Sequence, residues 1–414
     1  MLLTDIDLSS HDFFVDAPPH EAFRLLREHD PVHWQPEPPP NHGFWAITKY
    51  ADVETVIDDY RTYSSERGGV ILEEMAPDEL EARKSMMETD PPRHTRMRKI
   101  ASPLFTPRAI REYEGYVREI TRGVLDRALA KGEFDFVEEI SKELPIRVLV
   151  RILGVPDEDT DELIEWGDQM IGNTDPEYAR LVVDRDDTSD YRLMPFRSPA
   201  AADMMAYGHR MAEIRRVDPR DDLVTKLVAA EVDGERLSTR DFDNFFVLLV
   251  VAGNETTRHG ISHGMLALME HPEQLQRLRD DPSLMPGAVE EMLRYGSPTM
   301  MFRRTATQDT ELRGVRIRRD DKVVVWFISA NYDEEVFPDP FRFDVTRAPN
   351  RNFAFGAGGP HFCLGAPLAR LEMRVMFEEL IPRVAGIEPT GEPIRLRSNF
   401  INGIKHMPVR VRSR

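Results

Sequence analysis

The chain has 414 residues, 41% of them hydrophobic, a single cysteine and a formal net charge of −19. That length suits two lobes or one large composite domain; the acidic balance argues against a general nucleic-acid binder, and no apolar run reaches the length of a bilayer span. One cysteine allows neither an intramolecular disulfide nor a multi-cysteine metal site, and a start carrying Asp5, Asp7 and Asp12 does not read as a signal peptide, so a cytoplasmic protein without a membrane anchor is expected.

No internal repeat or low-complexity tract interrupts the sequence. Residues 31–40 read as an irregular entry, 43–48 as a strand and 51–60 as a short helix. Asp90-Pro91-Pro92 and Thr106-Pro107 are helix starts, each joining a side chain able to cap with a proline tolerated in the first turn. From Pro107 to about Val232 the periodicity is mostly helical, broken at Gly132, Gly154-Val155-Pro156 and Asp175-Pro176. Residues 184–199 are polar and irregular and predict a mobile loop. Ser238-Thr239-Arg240-Asp241 has a capping-box arrangement and opens a long apolar helix from Phe242 to about Met269; another runs from about Pro286 to Tyr295. After Pro298, strands are expected over 310–317 and 322–328, a helix from beyond Cys363 to about Leu380, and a hairpin over 394–411 turning at Asn402-Gly403. The fold class is mainly α with small antiparallel β-sheets. It is β-rich over about 31–72, 298–350 and 390–414, and helix-rich over about 90–297 and 364–382. Without βαβ alternation, a Rossmann-type enzyme is disfavoured.

The cysteine lies in Phe355-Gly356-Ala357-Gly358-Gly359-Pro360-His361-Phe362-Cys363-Leu364-Gly365. The glycines permit tight backbone geometry and the close approach of a flat ligand. Cys363 stands where a helix begins, so amides and the positive helix end are expected to lower its thiol pKa and hold a thiolate. Leu364, Leu368, Leu371, Val375 and Met376 form the stripe that pins that helix in the core. The bland alternative is a buried cysteine in a glycine-rich turn. The segment resembles the haem-binding signature of the cytochrome P-450 family, with one departure: Phe355 stands eight residues before the cysteine, not seven. The extra residue resembles an actinobacterial subgroup that oxidises sterols, branched lipids and terpenoids, as does the ending over 399–406. The resemblance covers nearly the whole chain as a single domain, residues 1–414. It implies the P-450 fold, with haem b between an oxygen-binding helix and the helix following the cysteine loop. It also makes Cys363 the axial ligand of the iron and assigns Phe355 and Gly365 to the haem-binding loop.

The long helix carries Ala252-Gly253-Asn254-Glu255-Thr256-Thr257, a poor choice for the middle of a buried helix. The run is intelligible if the helix opens locally to admit oxygen and water; a polar helix–helix contact is the alternative. By resemblance Ala252 and Gly253 border the haem, Thr256 hydrogen-bonds dioxygen on the iron and Glu255 takes part in proton delivery. Glu291 and Arg294 share a helix face at i, i+3. Such a pair is commonly a weak surface contact; the resemblance makes it a buried ion pair bracing the cysteine loop, with Arg342 or Arg347 as third member. His94 and Arg98, at i, i+4, together with Arg304 and His361, match the family's propionate partners, a task the arginine fork suits. Family positions facing the distal haem would include Val247, Val251, Pro298, Met300, Met301, Phe302, Phe400 and Ile401. Nearly all are apolar, which favours a hydrophobic substrate, although core packing competes for each singly.

The implied activity is a monooxygenase, which inserts one atom of dioxygen into a C–H bond and reduces the other to water. With no flavin or nicotinamide fingerprint and no iron–sulfur cysteine set, electrons are expected from a ferredoxin and its reductase. Arg93, Arg96 and Lys99, with Arg370, form a local basic patch where an acidic ferredoxin could dock; an ordinary solvated face is the alternative. Rival readings are a hydrogen-peroxide-dependent peroxygenase, against which Glu255-Thr256 argues, a haem gas sensor, for which no output domain is seen, and a structural protein without haem.

Overall fold

The computed structural model describes residues 1–39, 41–232, 234–356 and 358–413. Of its elements, those that frame the site begin with β1 (Val32–Gln35), β2 (Phe44–Ile47), α1 (Tyr50–Asp58), β3 (Tyr63–Ser64) and α2 (Arg93–Ala101). A helical run follows: α3 (Pro107–Leu129), then β4 (Glu133–Asp135), α4 (Glu143–Leu153), α5 (Thr160–Ile171), α6 (Pro199–Val217), α7 (Thr239–Glu270) and α8 (Met285–Gly296). The chain returns to strands in β5 (Met301–Ala306) and β6 (Lys322–Trp326). It then forms α9 (Ala366–Leu380) and ends in β7 (Val384–Pro389), β8 (Ile394–Arg395), β9 (Ile404–His406) and β10 (Pro408–Ser413).

Capping chemistry starts two of the long helices as expected. The Thr106 hydroxyl accepts from the Ala109 amide at 3.3 Å ahead of Pro107, and the Ser238 hydroxyl accepts from the Asp241 amide at 3.1 Å. Asp90 does something else. Its carboxylate takes the Ser65 amide at 3.0 Å and the Ser64 hydroxyl, so it fastens β3 to the entry of α2 instead of capping that helix.

At 32 residues, α7 is the longest of these helices and is buried nearly all round, as a helix through a core should be. It is packed by α4, α5, α6, α8 and α9. Two of its own glycines permit close approaches: a methyl at Gly260 would lie 3.1 Å from the Met373 sulfur on α9, and one at Gly264 2.9 Å from the Met292 sulfur on α8.

The principal sheet has the order β1-β2-β6-β5-β3, with Arg304 opposite Val323 and Phe302 opposite Val325. Three expectations change here. First, β2 and β6 run parallel, Ala46 beside Val324, because the helical excursion between them supplies the crossover that parallel pairing needs. Second, β6 stops at Trp326, and Phe327–Ala330 is a helical turn. Third, the final hairpin is shorter: β8 pairs with β9, while β10 leaves to join β7 and β4. Asn402-Gly403 sits just before β9, since 398–402 is held elsewhere. Ile401 bridges Thr299, Phe400 O accepts the Met300 amide at 2.8 Å, and the Asn402 amide donates to Pro298 O at 2.9 Å.

Residues 184–199 are irregular, with short turns at Ser189–Tyr191 and Pro195–Arg197, yet they are tethered. Asp184 meets Arg397 at 2.8 Å, Arg192 meets Asp78 at 2.6 Å, and Arg197 meets Glu73 at 2.5 Å. Among the described residues no helix is long and apolar enough to cross a membrane.

Candidate active site

The loop before α9 is shaped by its contact with α1. Gly358 and Gly359 adopt φ of +69° and +66°; a side chain there would lie 2.5 Å from the Asp58 carboxylate and 2.8 Å from Ile57 O. Within the chain, the close approach that Gly358 and Gly359 allow is to the end of α1, whereas a methyl at Gly356 would meet nothing within 4 Å among the described residues. Ala357 lies outside the described residues. The Cys363 amide donates to Phe355 O at 3.0 Å, closing the loop, and Arg370 lies 4.4 Å over the Phe355 ring while pairing with Glu290 at 2.5 Å. The thiol state departs from expectation. Burial pushes Cys363 up, against the Gly365 and Ala366 amides and the Arg98 charge, so the helix start does not by itself make a thiolate.

The loop is braced from α8. Glu291 and Arg294 are fully buried and bidentate, at 2.8 Å for both contacts. Glu291 also accepts from Arg347 Nε at 3.1 Å, Asn350 Nδ2 at 3.0 Å and the Asp344 amide at 3.1 Å. Arg347, not Arg342, is thus the third member; Arg342 is exposed and faces Asp344 at 3.4 Å. Arg294 further donates to Asn331 O at 2.9 Å, and Asn331 Oδ1 accepts the Phe353 amide at 2.7 Å, two residues before the cysteine loop.

His94, Arg98, Arg304 and His361 converge from α2, β5 and the cysteine loop. The two imidazoles lie 4.2 Å apart between ring centroids. Burial, with the Arg98 and Arg304 charges, lowers His94 to about 4; burial, Arg304, His94 and Arg98 lower His361 to about 2. Burial also lowers Arg304 to about 10. His94 Nδ1 and His361 Nε2 are buried without a hydrogen-bond partner among the described residues. Two guanidiniums and two imidazoles with unmet hydrogen-bonding capacity fit a ligand carrying carboxylates.

Along α7 an open stripe interrupts the buried surface. Ala252 is exposed, and Leu248 and Thr256, one turn to either side, are half-buried. The helix is unbroken here; the expected local opening does not occur. Instead the Thr256 hydroxyl donates to Ala252 O at 3.0 Å, and Gly253 is needed because a side chain would press on Leu149 of α4 at 3.3 Å. Leu248 went unnoticed in the sequence, although its spacing of four from Ala252 and eight from Thr256 was the available signal. Thr256 lies one turn before Gly260, where α7 packs on Met373 of α9, the helix that follows the cysteine loop.

Glu255 points away from the stripe into the core. It pairs with Arg258, accepts from Asn254 Nδ2 at 2.9 Å, and lies against Gly167 of α5, where a methyl would be 3.4 Å from its oxygen. Arg258 also binds Asp168, which meets Lys142 at 2.9 Å. Burial raises Glu255 to about 7, with the Arg258 charge opposing.

The distal residues divide. Val247 and Val251 lie on the buried flank of α7. On β5, alternation puts Phe302 on the face of Arg304, while Met301 takes the opposite face and packs with Phe44, Ala46 and Trp326. Met300 and Ile401 are fully buried, and the half-buried Phe400 reaches Phe302 at 5.6 Å between centroids.

A cysteine at a helix start, a cationic cluster with unmet capacity and an open apolar stripe fit a haem. The cytochrome P450 family model matches residues 16–385. Among curated proteins, the chain is 42% identical to a methyl-branched lipid omega-hydroxylase of Mycobacterium tuberculosis, over 98% of this chain and 95% of that one. It is 38% identical to a steroid C26-monooxygenase of Mycolicibacterium smegmatis, over 98% and 93%. Among solved structures, Mycobacterium marinum cytochrome P450 CYP268A2 in complex with pseudoionone superposes with a TM-score of 0.90 at 39% identity, covering 98% of each chain.

Proposed function

The chain belongs to the cytochrome P450 family and to its monooxygenases, and on that premise we propose that it hydroxylates a sterol, branched lipid or terpenoid with electrons from an iron–sulfur ferredoxin and its reductase. The observation that carries the reading is the meeting of His94, Arg98, Arg304 and His361 near Cys363. In a chain of net charge −19, none of these four forms an ion pair with an acidic side chain among the described residues. They are the partners for the propionates of haem b, and Cys363 Sγ is the ligand for its iron. Haem bound there would supply an iron that activates dioxygen, and Cys363 as its thiolate ligand would donate the electron density that favours O–O cleavage.

The remaining work falls to side chains of α7. Glu255 holds a proton near neutral pH because burial raises it to about 7, and it stands next to Thr256 in the chain. Thr256, whose proton is directed to Ala252 O, keeps its oxygen lone pairs available toward the open stripe. Leu248 and Ala252 give that side an apolar surface, and we assign Phe302 and Phe400, whose rings meet at 5.6 Å between centroids, to the wall facing it, so that water is excluded and a hydrophobic substrate received. The relatives named for steroid and branched-lipid oxidation support the same substrate class.

Optical titration of the ferric protein with sterols, branched fatty acids and terpenoids tests this reading. A thiolate-type spectrum that shifts to high spin with one class supports both halves, and a haem spectrum unaltered in Cys363→Ala overturns the first. No shift with any of the three overturns the substrate class.

Electron entry is proposed on α2. Arg93, Arg96 and the exposed Lys99 share that helix; Arg93 also meets Asp241 at 2.9 Å, and Arg370 meets Glu290. Arg96→Glu is expected to slow ferredoxin-driven reduction at low salt and to matter less as salt rises. Equal rates at low salt would remove the patch from the account.

A further inference from the structure

Beside Glu255 stands a second buried group that the proposed reaction leaves unused. His259 follows by one helical turn on α7 and is fully buried. Its Nδ1 accepts the Ile404 amide at 3.3 Å, so the ring proton must sit on Nε2. The contact is tight: a side chain on Gly403 would come within 3.1 Å of His259 Cε1. Nε2 has no hydrogen-bond partner among the described residues, and the carboxylate oxygen Oε2 of Glu255 lies 3.8 Å away.

We propose that His259 is a positioning residue for Glu255, locked by the Ile404 amide in the Nε2–H tautomer so that this N–H faces the carboxylate and favours its ionised form. The proposal rests on the reading of Glu255 as the proton-holding acid. At 3.8 Å the contact is a dipole toward a charge and not a formed hydrogen bond, but in a dry interior such a dipole is weakly screened. His259 cannot itself relay protons. Relay through an imidazole needs both nitrogens, and Nδ1 is occupied by an amide that does not release its hydrogen. The ring also stays neutral, since burial with the Arg258, His263 and Lys142 charges holds it well below its ordinary range. Charged and titratable groups facing Glu255 are Arg258 and His259 from α7, Asp168 from α5, Lys142 just before α4, and Tyr178 beyond α5. Of these, His259 is hydrogen-bonded to the C-terminal strands at Ile404, while Tyr178 meets them only through the Lys405 ammonium, 5.8 Å over its ring. His263, one turn further on, is hydrogen-bonded to Asn402 O at 2.8 Å. The segment 402–404 therefore reaches Glu255 through a fixed ring.

The native enzyme, reduced and bound to carbon monoxide so that it is diamagnetic, gives the first test. Nitrogen-15 spectra of labelled histidine should show His259 neutral with the proton on Nε2; a proton on Nδ1 overturns the proposal. The second is an infrared pH titration of the Glu255 carboxyl, identified by its loss in Glu255→Gln. His259→Leu should move the midpoint upward by about one pH unit, and His259→Gln, which retains a donor, should restore most of that shift. An unmoved midpoint in the leucine variant, or equal shifts in both, assigns His259 to packing alone and overturns the proposal. Both readouts are independent of turnover, so they separate this contact from the catalytic role of Glu255, which is judged by the activity of Glu255→Gln.

Discussion

Two helices of this chain carry the same local pattern, a glutamate followed three residues later by an arginine: Glu255 and Arg258 on α7, Glu291 and Arg294 on α8. Both pairs are buried and both form. They differ in what surrounds them. Glu291 collects two bonds from its own arginine and one each from Arg347, Asn350 and a backbone amide, so its acceptor sites are filled. Glu255 must share Arg258 with Asp168 and otherwise receives only the Asn254 amide group, and burial lifts it to about 7. A saturated carboxylate is a strut; an under-supplied one can exchange a proton. Spacing fixes the pair, and the number of additional donors decides what the pair does.

Removing the arginine should separate the two most widely. Arg294→Ala leaves Glu291 buried and strips the grip on Asn331 that holds Phe353, and a loss of about 3–5 kcal/mol in urea unfolding is expected. Arg258→Ala should cost less, on the order of 1–3 kcal/mol, because Lys142 still meets Asp168 and Glu255 can take a proton. Equal losses would break the distinction.

The isosteric change at each glutamate sharpens it. Glu255→Gln is expected to lower product formed per unit time by about 10²-fold, with reducing equivalents diverted to peroxide or water. Glu291→Gln should show its deficit chiefly in unfolding. The pH dependence gives the sign. A carboxyl at about 7 in the folded chain and 4.5 ordinarily binds its proton more tightly when folded. That contribution is present below about pH 4.5 and is lost as pH rises through about 7, worth up to about 3 kcal/mol. Unfolding free energies of native protein and Glu255→Gln should therefore diverge across that window in favour of the glutamine variant. Parallel curves would mean that Glu255 stays ionised throughout.

Much of this was legible in the sequence, and what was hidden has physical causes. The cysteine segment and the two capped helix starts are written in residue types that few other arrangements need, whereas the meeting of four cationic or imidazole residues is carried by the family resemblance alone. β5 escaped notice because buried Arg303 and Arg304 disguise a strand as a polar stretch; Arg304 turns to the cationic cluster and Arg303 donates to Glu73 O at 2.8 Å. The parallel pairing of β2 with β6 depends on a crossover between distant segments, which no local pattern encodes. On α7, polar residues suggest a local opening, whereas the structure keeps the helix and gives each a partner: Thr256 on a carbonyl, Glu255 on Arg258, Asn254 on Glu255. The Cys363 thiol was expected to be low because its place at a helix start is visible locally, while the burial that outweighs it is a tertiary fact.

Choosing between Arg342 and Arg347 lay beyond sequence for the same reason, and it supplies the finest test of the brace. Both arginines lie in the segment that leads to the cysteine loop, but only Arg347 turns inward. Besides Glu291 it donates to the carbonyls of Pro338, Asp339 and Arg342 at 2.9, 3.1 and 2.8 Å, tying one turn of chain around its guanidinium. Arg347→Ala strands those acceptors and removes one donor from a buried carboxylate, for an expected cost of about 1–3 kcal/mol. Arg342→Ala removes only an exposed contact and should stay within about 0.5 kcal/mol. If donor supply is what makes Glu291 a strut, the losses from Arg347→Ala and Glu291→Gln should not add, and the double variant should lose less than their sum. Additive losses would mean that the carbonyl ties, and not the carboxylate contact, are what Arg347 contributes.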